Sequence, residues 1–137
     1  MTTIVKEIYK YLDNLTATNP ICVSLGTTLS GGSNLFMMLE PADATQCITI
    51  IPYGGGRPNT DKNRFESSVQ IRLKTSSRQK ALETMQSVIE NLHMNDNVCA
   101  SMNGLMMANQ SLPIIFDVLE GGKYIISISN FSIIHTK

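Results

Sequence analysis

The run Gly54-Gly55-Gly56-Arg57-Pro58 has the residue types of a phosphate cradle, because glycine backbones can wrap an anion and an arginine can pair with it. Its context does not suit that chemistry. No Gly-Lys-Ser/Thr follows at the spacing of a nucleotide-binding loop, and the next periodic segment predicts a strand, so no helix N-terminus points at an anion. His93 and His135 have no companion at metal-ligand spacing. Cys22, Cys47 and Cys99 are odd in number, widely spaced and set among apolar residues, which signals neither a disulfide framework nor a zinc knuckle. Cys99 reads as a buried structural thiol and not as a nucleophile. Asp43, Asp61, Asp96 and Asp117 are scattered, with no pair at acid–base spacing. These residues point to no catalytic centre, no cofactor and no metal.

The charges are more informative. Eleven basic and eleven acidic residues leave a formal net charge of zero, which argues against nucleic-acid binding over the whole surface. Between Arg57 and Lys80, however, seven cations (Arg57, Lys62, Arg64, Arg72, Lys74, Arg78, Lys80) face two anions (Asp61, Glu66), a +5 window balanced by −5 elsewhere. Such a window is either a solvated face or a contact for an acidic partner. If copies repeat around a ring, their windows add to a field that passing DNA would also feel. No aromatic follows Phe65 within it, so base stacking on single strands is not suggested. The charged fraction of 16% lies below the usual level of roughly a quarter, as on a surface covered by partners. Eight Met residues, with pairs at Met37-Met38 and Met106-Met107, suit adaptable contacts as well as gap-filling in a core.

The elements around these residues follow from periodicity. Thr2 or Thr3 can cap a first helix whose Ile4, Ile8, Tyr11, Leu12 and Leu15 form one stripe, ended by Asn19-Pro20. Ile21, Val23 and Leu25 alternate as a short strand, and Leu29 to Ser33 reads as a turn leading into Leu35 to Leu39. Pro41-Ala42-Asp43 punctuates before Gln46 to Ile51, apolar on both faces and therefore a central strand. Pro52 to Asn63 is aperiodic and predicts a mobile, functional loop. Val69, Ile71 and Leu73 then alternate with Gln70, Arg72 and Lys74, which places the cations opposite the core. Ser76, with Gln79 three residues on, predicts the cap of an amphipathic helix built on Ala81, Leu82, Met85, Val88, Ile89 and Leu92 and stopped by Asn95-Asp96-Asn97. Val98 to Ala108 reads as one strand or two short ones broken at Asn103-Gly104. Pro113 marks a strand start, and Ile114, Phe116 and Val118, a Gly121-Gly122 turn, and Tyr124, Ile126 and Ile128 predict a hairpin. The apolar parity changes near Asn130 to Phe131 and Ile133, which predicts a β-bulge.

A chain of 137 residues can bury one sizeable core and is too short for two ordinary domains, so 1–137 is expected to be a single domain. Its class is α+β: a mixed, mostly antiparallel sheet with an N-terminal helix and one central amphipathic helix packed on one face. Neither a signal-peptide apolar core nor an apolar run of roughly 18 residues occurs, so a soluble protein of a reducing cytoplasm, neither secreted nor membrane-bound, is expected.

The order of these parts resembles the tail-terminator and minor capsid proteins of long-tailed bacteriophages: an N-terminal helix, a strand followed by Pro41, a central strand entering Gly54-Gly55-Gly56-Arg57-Pro58, then Val69-Gln70-Ile71-Arg72-Leu73-Lys74 and the Ala81 to Leu92 helix. The resemblance spans roughly residues 4 to 134. It implies a structural, non-enzymatic virion protein of the tail and neck, assembled in the host cytoplasm as a homo-oligomeric ring, most simply a hexamer. That ring would cap the major tail tube protein, end tail polymerisation and offer a joining surface to the head connector or neck protein, with DNA passing through its lumen. Candidate contacts with neighbouring subunits, tube or lumen are Gly54, Gly55, Gly56, Arg57, Lys62, Arg64, Arg72 and Lys74. The competing readings are a head-side neck connector, stopper or minor capsid protein, and, less in keeping with the residues, a small ligand-binding domain or enzyme using the glycine loop.

Overall fold

The structure, a computed structural model, describes residues 2–39, 41, 45–55, 65–119 and 124–136. Helix α1 (Thr2–Asp13) buries Ile4, Val5, Ile8 and Leu12 completely, and Tyr11 and Leu15 pack partly against the same core. The expected strand at Ile21, Val23 and Leu25 is instead a short helix, α2 (Pro20–Leu25). Its local chemistry is helical at both ends. The Asn19 side chain accepts from Ile21 N at 3.0 Å, Pro20 occupies the first turn, and Gly26, at φ 88°, closes the C-terminus with its N–H on Cys22 O at 2.9 Å. Over so few residues, periods of 2 and 3.6 both bring Ile21 and Leu25 to one side. The middle residue separates the two patterns, and Val23 is 64% exposed.

Strand β1 (Leu35–Met37) runs parallel to β2 (Cys47–Gly55), which pairs antiparallel with β3 (Phe65–Thr75). Helix α3 (Arg78–Leu92) returns across the sheet, a 3-10 turn (Ala100–Met102) follows, and β4 (Leu105–Ala108), β5 (Ile114–Leu119) and β6 (Tyr124–His135) complete it. The strand order is β1-β2-β3-β6-β4, with β5 sharing the β6 edge that β4 uses. The class is therefore α+β, with the mixed, mostly antiparallel sheet expected, here of six strands. One face of that sheet, carrying Leu35, Ile48, Ile50, Val69, Ile71, Leu73, Met106, Phe131 and Ile133, shares a single core with the helices.

Four further details differ from the sequence reading. The N-cap of α3 is Ser77, whose Oγ accepts from Lys80 N at 3.3 Å, and not Ser76. Val98 to Ala108 holds the 3-10 turn and one strand, the break falling at Asn103-Gly104 as expected. The aperiodic stretch begins later than Pro52, because Pro52 to Gly55 continue β2 across a register shift opposite β3; the remainder of the expected loop lies outside the described residues, as does the Gly121-Gly122 turn. Lastly, β6 has no bulge at Asn130. It pairs with β3 in unbroken register from Phe65↔His135 to Thr75↔Ile125. The apolar residues change face on a regular strand: Phe131 and Ile133 enter the core, whereas Ile126 and Ile128 lie on the opposite face and Ser127 and Ser129 take the core positions.

Candidate interaction surface on the helix-free sheet face

That change of face gives the sheet a second apolar surface. By register, one row across it runs Cys47, Lys74, Ile126, Phe116, and the next runs Thr49, Arg72, Ile128, Ile114. Ile114 is 40% and Phe116 48% exposed, so the β5 end of both rows presents apolar groups to the outside. Beyond these rows the face becomes polar: Gln70 Nε2 donates to Asn130 Oδ1 at 3.1 Å, Gln110 Oε1 accepts from Asn130 N at 3.2 Å, and Ser132 Oγ donates to Asn109 Oδ1 at 3.0 Å.

Arg72 and Lys74 do stand opposite the core, as alternation requires, yet they are not a solvated pair. Arg72 is half-buried and Lys74 only 5% exposed, its Nζ 4.7 Å from the centroid of the Tyr124 ring. The ring face offers partial negative charge to the ammonium, a contact worth about 2 kcal/mol when desolvated. Thr49, opposite Arg72, is 1% exposed, and its Oγ1 has no hydrogen-bond partner among the described residues. Gly54 and Gly55 end β2, and Gly55 pairs with Ser67; Gly56, Arg57, Lys62 and Arg64 lie outside the described residues. Of the eight candidate contact residues, the sheet thus brings Arg72 and Lys74 together at one end, while Gly54 and Gly55 stand at the other end of β2.

The remaining candidates for chemistry are structural. Burial, with Glu7 adding a like charge, pushes the Cys99 thiol up to about 11, so it stays protonated at neutral pH. Cys22, Cys47 and Cys99 are all buried. His93 caps α3, and its Nδ1 accepts from Ala108 N at 3.0 Å, closing the outer edge of β4 together with Asn95 O, which accepts from Met106 N at 3.1 Å. A pair the sequence did not suggest is Ser67 and His135, which share a hydrogen bond of 2.8 Å between Oγ and Nε2 with Phe65 stacked on the imidazole. Opposed β-register and the parity of β6 make that pair, and no local motif signals it. At 9% and 6% exposure the two side chains lie too deep for attack on a substrate. A shallow groove of about 350 Å³ lined by Glu7, Lys10, Tyr11, Asn14, Leu15, Asn97 and Val98 lies on the helical side. Beside it, Tyr11 Oη donates to Asn91 Oδ1 at 2.9 Å and so ties α1 to α3. Among the described residues no three His, Cys, Asp or Glu side chains gather as metal ligands, and no helix is long and apolar enough to cross a membrane.

The geometry defines a small α+β protein with helices on one sheet face and a recessed, cation-bearing apolar patch on the other. The chain matches the model of the bacteriophage tail terminator protein family over residues 21–134, most of its length, and it belongs to that family. It is thus a structural protein of the phage tail. No curated protein matches it.

Proposed function

We propose that this chain forms a ring, most simply a hexamer, that caps the tail tube, ends its polymerisation and offers the surface to which the head connector is joined. The family match over residues 21–134 carries the reading. The exposed Ile114 and Phe116 at the β5 end of the sheet support it, because large apolar side chains at a surface suit protein contact better than they suit water. Its role is structural and not catalytic, in keeping with a thiol held protonated and a serine–histidine pair sealed from solvent. Gly54, Gly55, Gly56, Arg57, Lys62, Arg64, Arg72 and Lys74 are the proposed contacts with neighbouring subunits, with the major tail tube protein or with the lumen through which DNA passes.

The test is tube polymerisation with and without this protein. Addition of the protein to polymerising tail-tube protein should yield tubes that stop growing and carry one ring at an end by negative-stain imaging. Tubes that elongate unchanged, with the protein bound only to isolated head connectors, would replace the tail-side reading with the head-side one.

A further inference from the structure

The sheet is bounded by β1, β4 and β5, and the chain closes the first two of these edges itself. Along β4, Met94 N donates to Met106 O at 2.7 Å, Met106 N to Asn95 O at 3.1 Å and Ala108 N to His93 Nδ1 at 3.0 Å. β1 is three residues long, and Gly31 bridges to Leu35 on its outer side, with Gly32 N donating to Leu35 O at 3.0 Å. The edge of β5 is open. It pairs with β6 alone, and no backbone hydrogen bond among the described residues reaches its outer side. Gly55 and Phe65 stand at the opposite end of the sheet: Phe65 faces His135, nine residues along β6 from the Ile126 that faces Phe116, or roughly 30 Å of strand.

An open edge turns the N–H and C=O groups of every second residue outward as a template for another strand, and lysine, proline or a bulge is the usual protection. On β5 such devices stand only at the ends. Pro113 precedes the strand, and its register on β6 shifts between Asp117 and Leu119. The middle, Ile114-Ile115-Phe116, carries no charge; Ile114 is 40% and Phe116 48% exposed, and Leu112, just before them, is 57% exposed. The strand that matches this edge is β5 itself. In an antiparallel pair related by a twofold axis through Ile115, Ile114 faces the partner's Phe116 and Phe116 faces the partner's Ile114, two aromatic–β-branched contacts on one sheet face. Asp117 then faces the partner's Pro113, so no like charges are opposed.

We propose that β5 is a pairing edge for β5 of a second copy of this chain, antiparallel and centred on Ile115, joining the two sheets edge to edge. The pairing goes beyond the ring reading and does not rest on it. A twofold contact uses the same patch on both copies, whereas a ring is closed by head-to-tail contacts, which lie elsewhere on the subunit. Free subunits paired in this way are dimers, and rings paired in this way are joined two by two, so the number of copies doubles in either case.

Native mass spectrometry and light scattering across a concentration series count the copies of the full chain, with circular dichroism confirming the folding of each variant. The double variant Ile114→Lys/Phe116→Lys changes two outward-exposed positions, should keep the fold, and should contain half as many copies as wild type. Cysteine cross-linking reads the register. The two Ile115 Cα atoms would stand about 4.5–5.5 Å apart, within disulfide reach, whereas the two Ile114 Cα atoms, offset diagonally, would stand roughly 7–8 Å apart, outside it. The native cysteines are buried and do not compete. Ile115→Cys should therefore give a covalent dimer on oxidation, Ile114→Cys should not, and adding Ile114→Lys/Phe116→Lys to Ile115→Cys should abolish the cross-link. Equal copy numbers in wild type and the lysine variant overturn the pairing, and so does cross-linking at position 114 as fast as at 115. A wild-type dimer that the lysines halve upholds the pairing and counts against a self-assembled ring, whereas a wild-type hexamer that they leave intact keeps the ring and removes this contact.

Discussion

Thr84 lies on the buried side of α3 at 0% exposure, and its Oγ1 has no hydrogen-bond partner among the described residues. Replacing threonine by valine in a core is usually harmful because the hydroxyl loses its bonds, but here no bond exists to lose. Valine keeps the shape, so no cavity opens, and the two residues have similar helix propensity. What remains is the desolvation penalty of the hydroxyl, about 1–3 kcal/mol for a buried unsatisfied group. Thr84→Val should therefore stabilise the subunit by about 1–2 kcal/mol, a rise in Tm of roughly 3–8 °C for a domain of this size. Urea unfolding should show a higher midpoint with an unchanged m value, since the surface exposed on unfolding is the same. Thr84→Ala serves as the control: it removes the hydroxyl but also a buried methyl, and should come out near neutral or destabilised. A Thr84→Val protein less stable than wild type by more than about 0.5 kcal/mol would refute the reasoning, because the hydroxyl would then be bonded in solution.

Three other outcomes follow from the same geometry. Asn19→Ala removes the cap of α2 and should cost about 1 kcal/mol by chemical denaturation, and Gly26→Ala, at φ 88°, should cost about as much. Lys74→Met should make the subunit more stable by thermal melting, and loss of stability would mean the cation is well satisfied within the fold. Because Cys99 titrates near 11 in the folded chain against 9.0 for an ordinary thiol, the folded state holds its proton where the unfolded state releases it. Its contribution to stability is full below pH 9.0 and is lost between there and about pH 11, and a thiol reagent at pH 8 should label Cys99 only at the rate of unfolding.

The sequence by itself determined the elements long enough to express a period. Val69, Ile71 and Leu73 against Gln70, Arg72 and Lys74 set the two faces of β3, and the stripe from Ala81 to Leu92 set α3, because the burial of an apolar face repeats with the geometry of the backbone. The match to phage tail terminators over residues 21–134 was legible in the order of those parts. The short α2 was not, since over six residues the strand and helix periods overlap and only the caps at Asn19 and Gly26 separate them. Nor was the regularity of β6, whose change of apolar parity reads equally as a bulge or as a switch from one buried face to another. Only pairing with β3 in continuous register selects the second, and it places Ile126 and Ile128 on the sheet face opposite the main core. Alternation correctly put Lys74 opposite the core, but its near-complete burial over Tyr124 was decided by the tertiary structure. A residue's parity depends on its own strand, whereas its exposure depends on strands remote in sequence that fold in beside it.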